Sequence, residues 1–225
     1  MNPTWESDCG TVKLWLGDCL EVMASWPDGA VDAVVTDPPY GVGIGRQSLG
    51  KWRTSKMPKS SWDDVQVDIS PILIGEKNLV WGGNYFQLPP SRCWLVWNKG
   101  AGFKNRDFAE AELAWCSWDG NIREITHDPL AAGDYRSKQH PTQKPIAVMV
   151  ASIMHSKGET IADPFMGSGT TGVAAVRLGR KFWGVEIDPQ YFEIAKRRIQ
   201  DELAKVKFLE PQPVVEQGCL FGSDE

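Results

Sequence analysis

In its last third the chain reads Glu159-Thr160-Ile161-Ala162-Asp163-Pro164-Phe165-Met166-Gly167-Ser168-Gly169-Thr170. The apolar run predicts a buried strand, and the glycines predict a tight turn that a ligand can approach closely. Residues 171–178 favour a helix, whose N-terminus would point free N–H groups at that ligand. The next strand ends in Glu186, 17 positions after Gly169, close to the spacing at which an acid binds ribose hydroxyls.

This segment predicts a site for a nucleoside cofactor rather than for a nucleoside triphosphate. A P-loop requires Lys-Ser or Lys-Thr directly after its glycines, and neither pair follows Gly169. Asp163, placed just before the turn, could accept a hydrogen bond from an amine of the ligand.

A second motif, Asp37-Pro38-Pro39-Tyr40, follows the apolar run 31–36. The prolines stiffen the backbone and remove two N–H donors, so their carbonyls remain as acceptors beside the Asp37 carboxylate. This arrangement suits an amino group that has two hydrogens to place, and the Tyr40 ring offers a flat surface for a planar base. Ligands bind outside the carboxyl ends of strands in an open α/β sheet, so the two motifs could meet at one site.

Together these motifs resemble those of amino-group DNA methyltransferases that depend on S-adenosyl-L-methionine. Their order resembles the circularly permuted β group, in which the Asp-Pro-Pro-Tyr motif precedes the cofactor motif. Three further segments support the resemblance, which covers roughly residues 11–200. They are Leu16-Gly17-Asp18, Trp81-Gly82-Gly83-Asn84-Tyr85-Phe86 and His140-Pro141-Thr142-Gln143-Lys144-Pro145.

The resemblance implies a Rossmann-like class I α/β fold, a mostly parallel seven-stranded sheet with helices on both faces. Sequence patterns predict strands at 12–16, 31–36, 79–81, 93–97, 112–118, 160–162 and 182–185. They predict helices at 20–26, 65–74, 145–155, 171–178 and 189–207, with residues 119–139 irregular. The implied catalytic residues are Asp37, Pro38, Pro39 and Tyr40. The implied cofactor-binding residues are Asp18, His140, Thr142, Lys144, Asp163, Phe165, Gly167, Ser168, Gly169, Thr170, Thr171 and Glu186.

The resemblance implies methyl transfer to an exocyclic amine of a base flipped out of duplex DNA. In this family an Asp-initiated motif goes mostly with adenine N6, so adenine is the favoured base. N4-cytosine methylation and methylation of RNA or of a protein side chain remain alternatives. A catalytically silent DNA-binding subunit of the same fold is another, although both motifs stand intact here.

The charge distribution favours a DNA contact next to the second motif, despite a net charge of −5. Residues 1–40 hold seven acids and one lysine, whereas residues 41–61 hold five basic residues and no acid. Glycine, serine and proline in this stretch predict a mobile loop at 41–62 whose cations contact phosphates. Those cations are Arg46, Lys51, Arg53, Lys56 and Lys59.

One catalytic domain, residues 1–207, is expected at this length. Within it residues 98–140 leave little room for a region that recognises the DNA target. This predicts a compact recognition region, a homodimer or an accessory protein. Residues 208–225 read as a flexible acidic tail. There Gln217, Leu220 and Phe221 resemble the short peptides that bind the bacterial sliding clamp. The compact size fits a prophage or restriction-modification setting by family analogy.

Several classes of protein are disfavoured by composition. No apolar run approaches the length of a membrane span, and residues 1–8 show no signal peptide. The five cysteines form no Cys-x-x-Cys pair, which disfavours a metal site and a disulfide framework. Reduced thiols in a cytoplasmic protein are the simpler expectation.

Overall fold

The computed structural model describes residues 1–41, 67–106, 108–134 and 143–209, with the side chains of residues 207–209 excepted. In these ranges the chain forms one mixed sheet of nine strands with four α-helices. The strands are β1 (Trp5–Glu6), β2 (Val12–Leu16), β3 (Ala33–Thr36), β4 (Lys77–Trp81), β5 (Trp94–Asn98), β6 (Ala111–Cys116), β7 (Arg123–Thr126), β8 (Thr160–Asp163) and β9 (Lys181–Glu186). The helices are α1 (Cys19–Met23), α2 (Ile146–Ser156), α3 (Thr170–Arg177) and α4 (Pro189–Leu209).

The strand order across the sheet is β1-β2-β9-β8-β3-β4-β6-β5-β7. The central strands from β2 to β4 pair in parallel, whereas β1 and β6 run antiparallel to their neighbours. The prediction of an α/β sheet is confirmed, but the described sheet has nine strands instead of seven. It is mixed, with five parallel and three antiparallel strand pairings.

The two strands that the sequence did not predict are the edge strands β1 and β7. β1 has two residues, too few to show an alternating pattern. β7 reads Arg-Glu-Ile-Thr and is exposed or half-buried, so it lacks the apolar signal on which strand prediction depends. Its presence corrects the expectation that residues 119–139 are irregular.

Alternating side chains of the central strands build two cores, one on each face of the sheet. On one face Leu14, Ile161 and Phe182 pack with α2, α3 and α4. On the other face Trp15 and Val34 pack with α1 and with the segment around Ile72. Helical cover on both faces is therefore confirmed, but most of it lies on the face of α2, α3 and α4.

The helix predicted at residues 65–74 is wrong where the structure describes this segment. There the chain forms only a single 3₁₀ turn, Ser70–Ile72. Pro71 lies in the first turn and has no N–H to donate. A helix that began before Ser70 could therefore not continue through this position. The other four predicted helices are present within a few residues of their expected ends. No helix in the described ranges is both long and apolar enough to cross a membrane.

The chain changes direction across the sheet between β8 and β3. From β8 it continues through α3 to β9 on one side, whereas β4, the strand that follows β3, lies on the other side. Such a switch point leaves a crevice at the carboxyl ends of the strands. The two sequence motifs follow these two neighbouring strands.

Candidate active site

The Asp-Pro-Pro-Tyr motif follows β3 directly, next to the end of β8. Val34 of β3 lies in register with Ala162 of β8. The Thr36 hydroxyl donates a 2.7 Å hydrogen bond to Asp163 Oδ1, so the two motifs are joined through a buried side chain. The structure therefore brings together two segments that lie more than a hundred residues apart in sequence.

Tyr40 is held by tight packing against the segment that follows β4. Gly82 has a φ of +67°, and a Cβ at this position would overlap the Tyr40 ring. Tyr85 stacks on Tyr40 with ring centroids 4.9 Å apart and an interplanar angle of 18°, while Phe86 meets it edge-on. The glycine at position 82 thus sets where the aromatic ring of the motif lies.

Asp37 belongs to a network of four charged side chains. Lys144 Nζ lies 2.5 Å from Asp37 Oδ1 and 3.2 Å from Glu112 Oε2. Lys99 Nζ lies 2.7 Å from Glu112 Oε1, and the Tyr40 hydroxyl donates to Asp37 Oδ1 at 2.5 Å. Two carboxylates and two ammonium groups give the network no net charge, which lowers the cost of keeping it out of water.

The pKa values in this network follow from burial and pairing. Burial raises the pKa of Asp37, and the nearby ammonium of Lys144 opposes this effect only in part. Burial alone would lower the pKa of Lys144, but the carboxylates of Asp37 and Glu112 outweigh it and raise this pKa. Burial would raise the pKa of Glu112, yet Lys144 and Lys99 lower it to about 2. Lys144 and Glu112 are therefore charged at neutral pH.

The sequence prediction missed Glu112 and Lys99. Glu112 lies on the antiparallel strand β6, and Lys99 follows β5, so neither stands in a recognisable motif. The available signal was a charged residue inside an otherwise apolar strand pattern. Lys144 was predicted to bind the cofactor, and the structure places its ammonium at the Asp-Pro-Pro-Tyr motif.

The glycine turn, residues Gly167–Gly169, connects β8 to α3. Gly167 and Gly169 have φ angles of +52° and +79°, a region that disfavours residues with a Cβ. A Cβ on Gly169 would also lie 2.8 Å from the Ala195 Cβ, so the turn packs closely against α4. The sequence therefore needs glycine at position 169 for both conformation and packing.

Side chains from two other segments hold the glycine turn. Arg198 of α4 donates to the Ser168 carbonyl and hydroxyl and to the Thr170 hydroxyl. The Ser168 hydroxyl donates to Gln143 Oε1 at 3.1 Å, which ties the turn to the residue before Lys144. Burial lowers the pKa of Arg198 to about 10, so it stays charged at neutral pH.

Asp163 is buried, and its described hydrogen bonds are made within the protein. Thr36 donates to one carboxylate oxygen, and the Thr171 hydroxyl donates to the other at 2.5 Å. The Phe165 N–H also donates to Asp163, at 3.1 Å. Burial raises the pKa of Asp163 to about 6 despite these bonds. Asp163 thus ties β3, β8 and α3 together.

Glu186 and Asp18 lie at the ends of the neighbouring strands β9 and β2. Glu186 accepts hydrogen bonds from the Gly167 and Asp188 N–H groups, one on each carboxylate oxygen. Burial raises the pKa of Glu186 to about 7. Asp18 caps α1 by accepting from the Leu20 and Glu21 N–H groups. Glu186 thus reaches from its strand to the glycine turn.

Some of the predicted site residues fall outside the described residues. Among the cofactor-binding predictions these are His140 and Thr142. The same applies to the predicted DNA contacts Arg46, Lys51, Arg53, Lys56 and Lys59, and to the tail residues Gln217, Leu220 and Phe221. The described members, from Asp18 to Glu186, lie on or next to the strands β2, β9, β8 and β3 and the segment before α2.

Comparison with known proteins agrees with this geometry. A sequence model of the N6/N4 methyltransferase family, described as DNA methylase, matches residues 55–197. The chain belongs to this DNA methylase family. Family membership makes it a DNA amino-methyltransferase that acts on adenine N6 or cytosine N4, and the family includes both kinds.

Two relatives align with most of the chain. The type II methyltransferase M2.MboI of Moraxella bovis is 25% identical, and the alignment covers 89% of this chain and 92% of M2.MboI. The methylase YubD of Escherichia coli K12 is 28% identical, with 81% of this chain and 88% of YubD covered.

Solved structures share the fold of this DNA methylase. The M1.HpyAVI complex with SAM superposes with a TM-score of 0.53 at 21% identity, covering 84% of this chain and 98% of M1.HpyAVI. The cytosine-N4-specific PvuII DNA methyltransferase gives a TM-score of 0.53 at 17% identity, covering 91% and 95%. TTHA0409 of Thermus thermophilus, complexed with S-adenosyl-L-methionine, gives 0.51 at 22% identity, covering 84% and 95%. At these identities the likeness establishes a shared fold.

Proposed function

We propose that this DNA methylase transfers a methyl group to the N6 amine of an adenine flipped out of duplex DNA. The observation that carries the proposal is the junction between the two motifs, where Thr36 bonds to Asp163 at the switch point of the sheet. Asp37 directly follows Thr36, and the glycine turn begins four residues after Asp163, which supports our assignment of Asp37 as an acceptor for the target amine. The Asp at the start of the motif supports adenine over cytosine. In the family that the motif resembles, motifs that begin with Asp occur mostly in enzymes that methylate adenine N6.

S-adenosyl-L-methionine is the cofactor, and its nucleoside fits the acceptors beside the glycine turn. Each carboxylate oxygen of Glu186 accepts one backbone N–H group, and a carboxylate oxygen has room for a further bond. Two ribose hydroxyls could therefore donate to Glu186, with Asp18 on the neighbouring strand. When bound, the cofactor supplies an electrophilic methyl group. Phe165 and the residues from Gly167 to Thr171 would form the wall of its site.

Asp37 and the Pro38 carbonyl are the acceptors for the target amine in this proposal. An exocyclic amine is a weak nucleophile because its lone pair is delocalised into the ring, and two acceptors favour its tetrahedral geometry. Methylation would place positive charge on the nitrogen, and Asp37 and the Pro38 carbonyl, as preorganised acceptors, would stabilise that charge. Asp37 would accept the proton that the methylated amine loses and pass it to solvent. Tyr40 is the proposed stacking surface for the base.

Lys144 has a defined place in this proposal because its ammonium lies 2.5 Å from Asp37 Oδ1, where it would compete with the target amine for the carboxylate. Glu112, 3.2 Å away on the other side, offers the ammonium a second partner. We infer that Lys144 moves its contact from Asp37 to Glu112 as the base enters.

DNA binding is proposed for two parts of the chain. The basic loop at 41–62 would contact phosphates beside the flipped base, and residues 98–140 would form the compact target-recognition region. The described part of that region includes β6 and β7. A homodimer would compensate for its small size. The order of the motifs supports assignment to the permuted β group, with residues 1–207 as the catalytic domain.

A separate proposal concerns the tail at 208–225. Gln217, Leu220 and Phe221 would bind the sliding clamp and raise the local concentration of the enzyme at replicating DNA. Replacing Leu220 and Phe221 with alanine should abolish retention by immobilised clamp while leaving methyl transfer intact. Unchanged retention by the double variant would rule the tail out as a clamp peptide.

The deciding experiment is methyl transfer from labelled S-adenosyl-L-methionine to unmethylated duplex DNA. The product is digested to nucleosides and identified by mass. We expect N6-methyladenine from the native chain. Asp37→Ala should lower the rate by at least about a hundredfold while binding the cofactor as tightly as the native chain does. N4-methylcytosine would instead identify the cytosine alternative. Absence of both products, with cofactor bound, would point to a silent DNA-binding subunit.

A further inference from the structure

Three side chains of types that bind metals meet at the ends of the strands β5 and β6 that lie opposite the candidate active site. They are Cys93, Cys116 and His155, and their ligand atoms all lie within 4.8 Å of one another. Cys93 Sγ is 3.5 Å from His155 Nε2. Both cysteines are fully buried, and His155 is half-buried with its ring against Trp118.

The fold explains why these residues meet although they are distant in sequence. Cys93 directly precedes β5, and Cys116 is the last residue of its antiparallel neighbour β6. Trp94 pairs with Trp115, so the two cysteines are the next pair along the ladder, and the Cys116 N–H donates to the Cys93 carbonyl. His155 stands at the end of α2. A search for closely spaced cysteines cannot detect such a cluster.

We propose that Cys93, Cys116 and His155 bind a Zn²⁺ ion. Two thiolates and an imidazole are the soft and borderline donors that zinc selects in proteins. With Zn–S and Zn–N bonds of about 2.3 and 2.0–2.1 Å, tetrahedral geometry separates S and N ligands by about 3.6 Å. The observed separation of 3.5 Å between Cys93 Sγ and His155 Nε2 therefore already suits a shared metal ion.

A cavity next to the cluster offers an entry path for the ion and space for a water molecule as its fourth ligand. It has a volume of about 320 Å³, and Cys93, His155 and Asn121 contribute to its wall. This is enough space for a water molecule to complete the tetrahedron. Cys93 and His155 line this cavity and Cys116 lies behind them in the core, so an ion would enter from the side of Cys93 and His155.

The charge around the cavity favours a neutral complex over a bare cation. Lys77, Arg123 and Lys157 line the cavity together with the acid Asp119, so its wall carries a net positive charge that disfavours an isolated divalent ion. Binding of Zn²⁺ by two thiols releases two protons to solvent, and the resulting bis-thiolate complex with a neutral imidazole carries no net charge. The surrounding cations therefore do not oppose the complete site.

The expected role of the ion is to fasten α2 to the strands β5 and β6. Lys144 lies two residues before α2, and β6 carries Glu112, so both elements are connected to the charged network around Asp37. The ion would act at the opposite end of these elements. We therefore expect it to stabilise the fold without contacting DNA or cofactor.

The test uses the full-length chain, reduced and freed of metal with a chelator. Co²⁺ is titrated as a spectroscopic probe, followed by Zn²⁺ as competitor. We expect one equivalent of Co²⁺ to give a thiolate charge-transfer band and the intense visible bands of tetrahedral coordination, both removed by Zn²⁺. Zinc binding should release about two protons and raise the melting temperature. Weak octahedral Co²⁺ bands, or no binding, would overturn the proposal.

Variants locate the site and separate metal loss from misfolding. His155→Gln and Cys93→Ser should each weaken Zn²⁺ binding by at least about tenfold, while circular dichroism confirms that both chains remain folded. Cys19→Ser is the matched control, because this cysteine begins α1 and should not alter metal binding. Equal zinc affinity in the native chain and His155→Gln would show that the ion binds elsewhere and would refute the assignment.

Discussion

At the scale of single residues, Lys144 connects the chemistry of the site to its surroundings. Its ammonium is buried between two carboxylates, and each of these has a second partner: Tyr40 for Asp37, and Lys99 for Glu112. Removing any one member leaves a charge poorly compensated in a medium of low polarity. The network therefore behaves as one unit rather than as four independent side chains.

Stability measurements on Lys99 and Glu112 test this coupling. Lys99→Met leaves Glu112 with a single cation, and we expect a loss of about 2 kcal/mol in the free energy of unfolding. Lys99→Met combined with Glu112→Leu removes both charges, so its loss should fall short of the sum of the single losses by about 1–2 kcal/mol. Urea unfolding midpoints provide the values. Strict additivity would mean that the two side chains are not coupled in solution.

The raised pKa of Glu186 predicts a pH dependence of nucleoside binding. Ribose hydroxyls bind the ionised carboxylate, and burial raises the pKa to about 7, so the acceptor is lost as pH falls through neutrality. Well below pH 7, affinity for 5′-methylthioadenosine should fall about tenfold per pH unit, and above pH 8 it should level off. This ligand lacks the amino-acid part of the cofactor, so the amino group of that part does not titrate with it. Calorimetry measures the affinity.

Glu186→Gln is the control for that pH dependence. The amide keeps an acceptor for the Gly167 N–H but does not titrate. We expect weaker binding with a flat pH profile. A profile as steep as that of the native chain would assign the titration to another group.

Residue-level prediction succeeded where short motifs carried the information. Asp37, Asp163 and Glu186 were placed at strand ends by their sequence context, and the structure finds them there. Glu112 and Lys99 were missed because Glu112 contacts both Lys99 and Lys144 only once β5, β6 and β4 have paired. No local sequence pattern encodes that pairing.

At the scale of secondary-structure elements, the packing of α4 against the glycine turn is the most sensitive contact. A Cβ on Gly169 would collide with Ala195, and its φ of +79° already disfavours any other residue. We expect Gly169→Ala to lower the free energy of unfolding by about 3 kcal/mol, the sum of backbone strain and overpacking. It should also weaken cofactor binding, which calorimetry would detect.

Gly179→Ala separates these two effects. Gly179 has a similar φ of +65°, but no atom lies within 4 Å of its hypothetical Cβ. Its replacement should cost about 1 kcal/mol from backbone strain alone and leave cofactor binding unchanged. Equal losses for the two variants would remove the contact with Ala195 from the explanation.

The central elements were predictable, and the edges were not. β3 and β8 are buried on both faces, and their continuous apolar runs are typical of such strands. β1 and β7 join the sheet through backbone pairing with little burial of side chains, so composition does not indicate them. The sequence patterns predicted the helix positions well except where Pro71 interrupts the segment at residues 65–74.

At the scale of the whole molecule, the separation of charge predicts how DNA binding responds to salt. The chain carries a net charge of −5, so the affinity must come from local cations rather than from the overall field. If Lys51, Arg53 and Lys56 contact phosphates, their joint replacement with glutamine should reduce the slope of log affinity against log salt by about 0.9 per lost contact. Fluorescence anisotropy with duplex DNA gives the slope.

Lys196→Gln, Arg197→Gln and Lys205→Gln together remove the same number of positive charges, three, from α4. These substitutions should leave the salt slope unaltered. If the α4 variant lowered the slope as much as the loop variant, general electrostatic attraction would account for DNA binding and the loop would lose its assigned role.

The hydrogen bond between Thr36 and Asp163 also has a consequence for synthesis of the protein. The two residues are separated by 127 positions, so a ribosome releases the Asp-Pro-Pro-Tyr motif long before the strand that completes its surroundings. A nascent chain that ends before β8 lacks the central neighbour of β3 and the whole glycine turn. We therefore expect methyl transfer to DNA only from chains that extend past the glycine turn.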